Sequence, residues 1–183
     1  MIPFKKNFTF KIENDNNLTL KLKQYFQFYS FEISEEEENS FVFFKKSSIL
    51  SGWKYNPLNW ESKVKIHTNN NILEITYTNE GNSQITPFAF DELFTSFFQN
   101  LELHINKSID FKEKNNIEVQ KAKKRIVLQF LILILSILSF ALISQLLIQK
   151  FRIRFIEIFG ILIGAFLSLK FINQYWINKT ARN

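Results

Sequence analysis

A chain of 183 residues has room for one ordinary domain and a small appendage, not for two large domains. It contains no Cys, which excludes disulfides, thiolate metal sites, iron–sulfur clusters and cysteine nucleophiles. The net charge of +6 is unevenly placed: residues 1–111 carry −3, 112–125 carry +4 and 126–183 carry +5, so the basic excess lies beside and between apolar segments and no nucleic-acid partner is expected.

The chain opens MIPFKKNFTFKIE, without the continuous apolar stretch and small-residue cleavage site of a secretory signal, and is expected to start the folded domain. Phe8, Phe10 and Ile12 alternate with polar residues, which predicts a strand broken by Asn14–Asn17. The following LTLKLKQYFQFYSFEIS fits both a two-residue period and a helical face. The Asp15–Asn17 cap cluster favours a helix over 17–26, and the β-rich FYSFEIS then gives a strand. Glu35–Asn39 is expected to be a solvated turn joining that strand to SFVFFKKS as a hairpin, because four adjacent glutamates repel one another and metal sites draw ligands from several elements.

Trp53 and Trp60 flank a loop with Gly52 and Pro57. Their indoles either fold beneath the loop and cap the core or form a surface for a partner. Ser62–Thr68 and Ile72–Thr78, joined by an Asn-rich turn, predict a second hairpin, with His67 on its polar side. From Asp91, the residues Leu93, Phe94, Phe97, Phe98, Leu101 and Ile105 share one helical face, an aromatic stripe expected to cover one side of the sheet. The order is β-α-β-β-β-β-α, an α+β domain over residues 1–111: a small antiparallel sheet with helices on one face. A two-helix transmembrane hairpin is expected to follow it.

A helix is predicted to begin at Asn115 or Asn116 and to run through a basic juxtamembrane stretch, 112–125, into the first membrane segment, since IEVQKAKKRIVLQF contains no breaker. Residues 126–148 form an uncharged run of 23, long enough to cross a hydrocarbon core about 30 Å thick. A tight basic loop, 149–154, precedes a second segment, 155–176, and a polar tail, 177–183. Glu157 lies near one end of the second segment and can pair with Arg154; Lys170 can snorkel at the other end, beside the interfacial Tyr175 and Trp176. Gly160, Gly164 and Ser168 recur every fourth residue. Reflection through the loop sets them opposite Ile143, Ser139 and Leu135, within a residue of Ser144 and Ser136. That face suits packing within the hairpin or a contact between copies. Lys and Arg outside the loop exceed those inside it, which places the domain and the C-terminus in the cytoplasm of a bacterial inner membrane or an organellar counterpart.

No G-x-G-x-x-G, P-loop, H-E-x-x-H or G-x-S-x-G occurs, and two isolated histidines do not supply a zinc site. No catalytic residue, cofactor or metal site is assigned. The expected function is therefore a non-enzymatic, membrane-anchored interaction or sensor module, an accessory subunit whose partners are the bilayer and other membrane subunits or itself. A homo-oligomeric channel or transporter subunit, with Glu157 and the small-residue face at its pore, is the alternative. A membrane-bound enzyme acting on lipid is the third reading.

Overall fold

A computed structural model describes residues 3–13, 17–46, 56–79, 87–151 and 155–181. Trp53 and Arg154 lie outside these residues, and the Glu157 side chain lies outside the described side chains. Two compact units are formed, Met1–Ser83 with Phe90–Ala122, and Gln84–Ala89 with Lys123–Asn183. The helical stretch up to Ala122 therefore groups with the sheet.

The first unit is α+β. Strands β1 (Phe4–Lys11), β2 (Glu32–Glu37), β3 (Ser40–Lys45), β4 (Ser62–Asn69) and β5 (Ile72–Asn79) make one antiparallel sheet in the order β1-β5-β4-β3-β2. Helix α1 (Leu18–Phe28) falls between β1 and β2, and α2 (Asp91–Lys107) follows β5. Alternation decides which side of each strand enters the core. Phe4, Phe8 and Phe10 of β1, Leu73, Ile75 and Tyr77 of β5, Val64 and Ile66 of β4, and Phe41 and Phe43 of β3 share the inner face. The helices close over it: Phe94 and Phe98 of α2 meet Tyr77, and Phe26 of α1 stacks on Phe43 with centroids 4.4 Å apart. Lys5, Lys11, Lys65 and His67 stand exposed on the opposite face.

Two inward cations are matched rather than buried bare. Lys6 reaches Asp91 at 2.7 Å and Thr95 Oγ1 at 2.8 Å, which ties β1 to the first turn of α2. Lys45, 6% exposed, donates to the Tyr29 carbonyl and to Asn59 Oδ1, with its ammonium 5.3 Å from the Phe31 ring centre.

The turns account for the differences from the sequence reading. Asn70 and Asn71 adopt φ of 47° and 63°, the paired left-handed geometry of a two-residue hairpin, which Asn tolerates. Strand β2 runs three residues into the glutamate run, so the hairpin turn is confined to Glu38–Asn39. Helix α2 stops at Ser108, whose φ of 50° lets its N–H close on the His104 carbonyl. The next helix, α3 (Lys112–Phe151), then starts earlier than Asn115, because the Asp110 carboxylate accepts the Lys112 N–H. Helix α4 (Phe155–Thr180) follows it in the second unit.

Among the described residues one helix, α3, is long and apolar enough to cross a membrane. Its leucines are strongly exposed: Leu135 62%, Leu142 63% and Leu146 66%.

Burial fixes the alkaline limit of the first unit. Desolvation pushes the Tyr77 phenol up to about 12 against the hydrogen bonds from Ser62 and Asn79, and raises Tyr25 well above its ordinary value. A phenol held protonated by the fold contributes stability that is complete below the unfolded value of 10.0 and is lost as pH rises from there toward about 12. Phenolate absorbance should show these tyrosines ionising together with loss of near-ultraviolet ellipticity above pH about 10. Independent ionisation in an intact fold would contradict the packing.

Candidate functional sites

The first unit has its densest polar chemistry where α1, α2 and α3 converge. Asn115, one turn into α3 and 1% exposed, gives both amide hydrogens to phenols, Tyr25 Oη at 2.8 Å and Tyr29 Oη at 2.9 Å. Its Oδ1 accepts from Asn100 Nδ2 at 2.8 Å, and Tyr25 Oη donates to the Phe97 carbonyl at 2.5 Å. One side chain thereby binds α3 to both helices of the sheet domain. Phe111 packs beside it against Tyr25 at 4.4 Å, and Val119 and Ala122 continue the buried stripe one and two turns on.

Next to this junction is a cavity of about 570 Å³ lined by Gln24 and Phe28 of α1, His104 of α2, Ser108, Asp110, Phe111 and Lys112. His104 Nδ1 lies 3.1 Å from the Ile109 carbonyl. A carbonyl only accepts, so Nδ1 carries the hydrogen and the neutral ring has its lone pair on Nε2. Nε2 is buried and has no hydrogen-bond partner. The ring stands edge-on to Phe111 at 4.8 Å. At the rim Phe28 is 52% exposed, and the Lys112 ammonium lies 5.0 Å from its ring centre. Sequence reasoning set His104 aside as solitary. Its partners come from a loop five residues on and from a neighbouring helix, which no spacing rule connects.

In the second unit the small residues of α4 meet α3. A Cβ at Gly160 would overlap Ser144 Oγ and lie 3.1 Å from Ser144 Cβ, and one at Gly164 would overlap the Phe140 ring. The register is thus one residue later than reflection predicts. Ser144 and Ser168 are buried, Ser136 is half-buried, and Ser139 is exposed with its hydroxyl returned to the Leu135 carbonyl. Ser139 is therefore not part of the packed face; Phe140 takes the place expected of it. Gln129, 6% exposed, has neither amide atom hydrogen-bonded. Near the end of α4, Trp176 lies between Arg125 at 5.2 Å and Lys179 at 5.0 Å. Arg125 also donates to the Ala89 carbonyl at 2.8 Å and Thr180 to that of Phe88 at 3.2 Å, which fastens residues 88–89 to this unit.

Trp60 is 4% exposed and edge-on to Phe90 at 5.3 Å, so it belongs to the core and not to a partner surface. Leu58 and Pro57 beside it are buried as well. The Glu157–Arg154 pair lies outside the described side chains. Among the described residues no three His, Asp or Glu side chains gather to hold a metal ion. Compared with family models, curated proteins and solved structures, the chain matches none.

Replacing Asn115 by Leu should cost about 2–3 kcal/mol, because the Asn100 amide and the Tyr29 hydroxyl lose buried partners. Urea unfolding of the full chain in detergent, followed by tyrosine environment, measures it; a loss under about 0.5 kcal/mol would show that water replaces the amide. Gly164→Leu should force α3 and α4 apart at a cost of about 1–3 kcal/mol, read as a lower Tm of the helical unit, while Ser139→Leu should leave it unchanged.

Proposed function

We propose that the protein is a membrane-anchored, non-enzymatic interaction or sensor module: an α+β domain held at the bilayer surface as an accessory subunit of a membrane complex. The observation that carries the reading is that α3 is one helix with two environments. Its first turns are locked into the sheet domain through Asn115, and its later turns expose leucine after leucine. In water such a stripe costs roughly 1.5–3 kcal/mol for each large side chain left uncovered, and hydrocarbon removes that cost.

Helix α4 supports a second crossing. It exposes Leu162 61%, Phe166 67% and Phe171 72%, it approaches α3 through Gly160 and Gly164, and Tyr175 and Trp176 end it with an interfacial pair. On this reading the two helices form an antiparallel hairpin. The cations on the first turns of α3 and at the end of α4 hold the domain and the C-terminus on the cytoplasmic side.

The natural absence of Cys makes the topology directly measurable. Single reporters Lys5→Cys, Lys150→Cys and Ala181→Cys are labelled in intact and permeabilised membranes with an impermeant maleimide. The first and third should be modified from one side and Lys150→Cys from the other. Labelling of all three from one side would overturn the two-pass reading, and release of the protein by urea wash would overturn the anchor itself.

A further inference from the structure

We propose that the second unit carries a binding site for the phosphate of an anionic phospholipid, built from Arg125, Lys179 and Trp176 where α3 enters that unit and α4 ends. The proposal rests on the membrane-anchor reading and names the lipid class that the anchor selects. Arg125 and Lys179 come from different helices and converge on one indole, the guanidinium 5.2 Å and the ammonium 5.0 Å from the centre of the Trp176 ring. Like charges repel, so two cations held at one ring favour an anion beside them. The guanidinium is fixed from a second side by the Ala89 carbonyl at 2.8 Å, and its planar fork of donors suits phosphate oxygens.

The charge balance of the unit requires that anion to come from outside. Residues 84–89 and 123–183 hold nine Lys and Arg against one acidic side chain, Glu157. Glu157 precedes Trp176 by 19 residues on α4, roughly 28 Å along the helix axis, too far to neutralise this end. Lys123 and Lys124 add two cations to the turn that carries Arg125. Lys124 and Lys179 are exposed, and Lys123, Arg125 and Trp176 are partly so.

Cations alone would accept any anion; the apolar surface next to them narrows the class. Leu128 and Leu131, within two turns of Arg125 on α3, are more than half exposed, as are Phe171 and Tyr175 on α4. A ligand that meets charge first and hydrocarbon next along both helices has an anionic head on an acyl body. Free phosphate lacks the body, and a zwitterionic lipid brings its own cation to a site already rich in them. An indole is suited to that boundary, with its apolar body toward the acyl chains and its N–H toward the headgroups. Each basic side chain near an anionic leaflet strengthens the attraction about fivefold.

The test is native mass spectrometry of the full chain, equilibrated in detergent with equal amounts of dioleoylphosphatidylglycerol and dioleoylphosphatidylcholine. The wild-type chain should retain phosphatidylglycerol in preference by about tenfold or more. Arg125→Gln with Lys179→Gln should abolish most of that preference, and Arg125→Lys with Lys179→Arg should keep it. Lys5→Gln with Lys65→Gln removes the same charge from the exposed face of the sheet and should leave the preference unchanged. Equal retention of the two lipids by the wild-type chain would overturn the proposal. So would equal losses from the two charge-removing pairs, because selectivity would then follow net charge, or displacement of the lipid by inorganic phosphate, which would make the site one for free anions. The lipid comparison on the wild-type chain decides the matter even where a variant fails to fold. Urea washing of membranes tests the anchor separately: a chain that washes off yet retains phosphatidylglycerol loses only the anchor, and one that resists washing without discriminating the lipids loses only the site.

Discussion

A single buried amide fixes how the first unit hands its chain to α3. Asn115 uses both hydrogens and its oxygen on Tyr25, Tyr29 and Asn100, so the helix cannot rotate about its axis at that point without breaking three hydrogen bonds. The hydrophobic stripe of Phe111, Val119 and Ala122 reinforces the same orientation.

Around that junction rings fill much of the core, with aliphatic residues such as Leu22, Leu101 and Ile105 between them. Phe4, Phe94, Tyr77, Phe98 and Phe8 are linked, through the contact of Phe98 with Phe97 at 5.3 Å, to Phe26, Phe43, Tyr25 and Phe111. Large planar side chains fill the space between a sheet and two helices with few rotatable bonds, and their edges and faces attract. The polar residues admitted to this interior, Lys6, Lys45, Ser62, Asn79 and Asn115, each meet a named acceptor or donor. His104 Nε2 and Thr68 Oγ1 depart from that pattern, each buried with no hydrogen-bond partner.

The second unit follows a different economy of packing. Its leucines face outward, its helices meet over Gly160 and Gly164, and cations gather about Trp176 at one end. Small residues let two backbones approach when apolar burial offers no advantage over the surrounding medium.

Much of this was legible in the chain itself, and for local reasons. The alternation of Phe8, Phe10 and Ile12, the helical stripe from Leu93 to Ile105, the Asn-rich turn and the uncharged run after Arg125 are periodic or compositional signals, and periodicity reports directly which face of an element is buried. Those signals determined the element order and the five-strand α+β architecture. They were silent wherever the deciding group was distant in sequence. The start of α3 depended on Asp110, the helix–helix register on the bulk of Phe140 against Gly164, and the burial of Trp60 on Phe90. Asn115 and His104 were ordinary polar residues in the sequence and became special when helices separated by more than 70 residues brought Tyr25 to both. Hydrogen bonds and cavities are properties of three-dimensional neighbours, so only the tertiary structure could decide them.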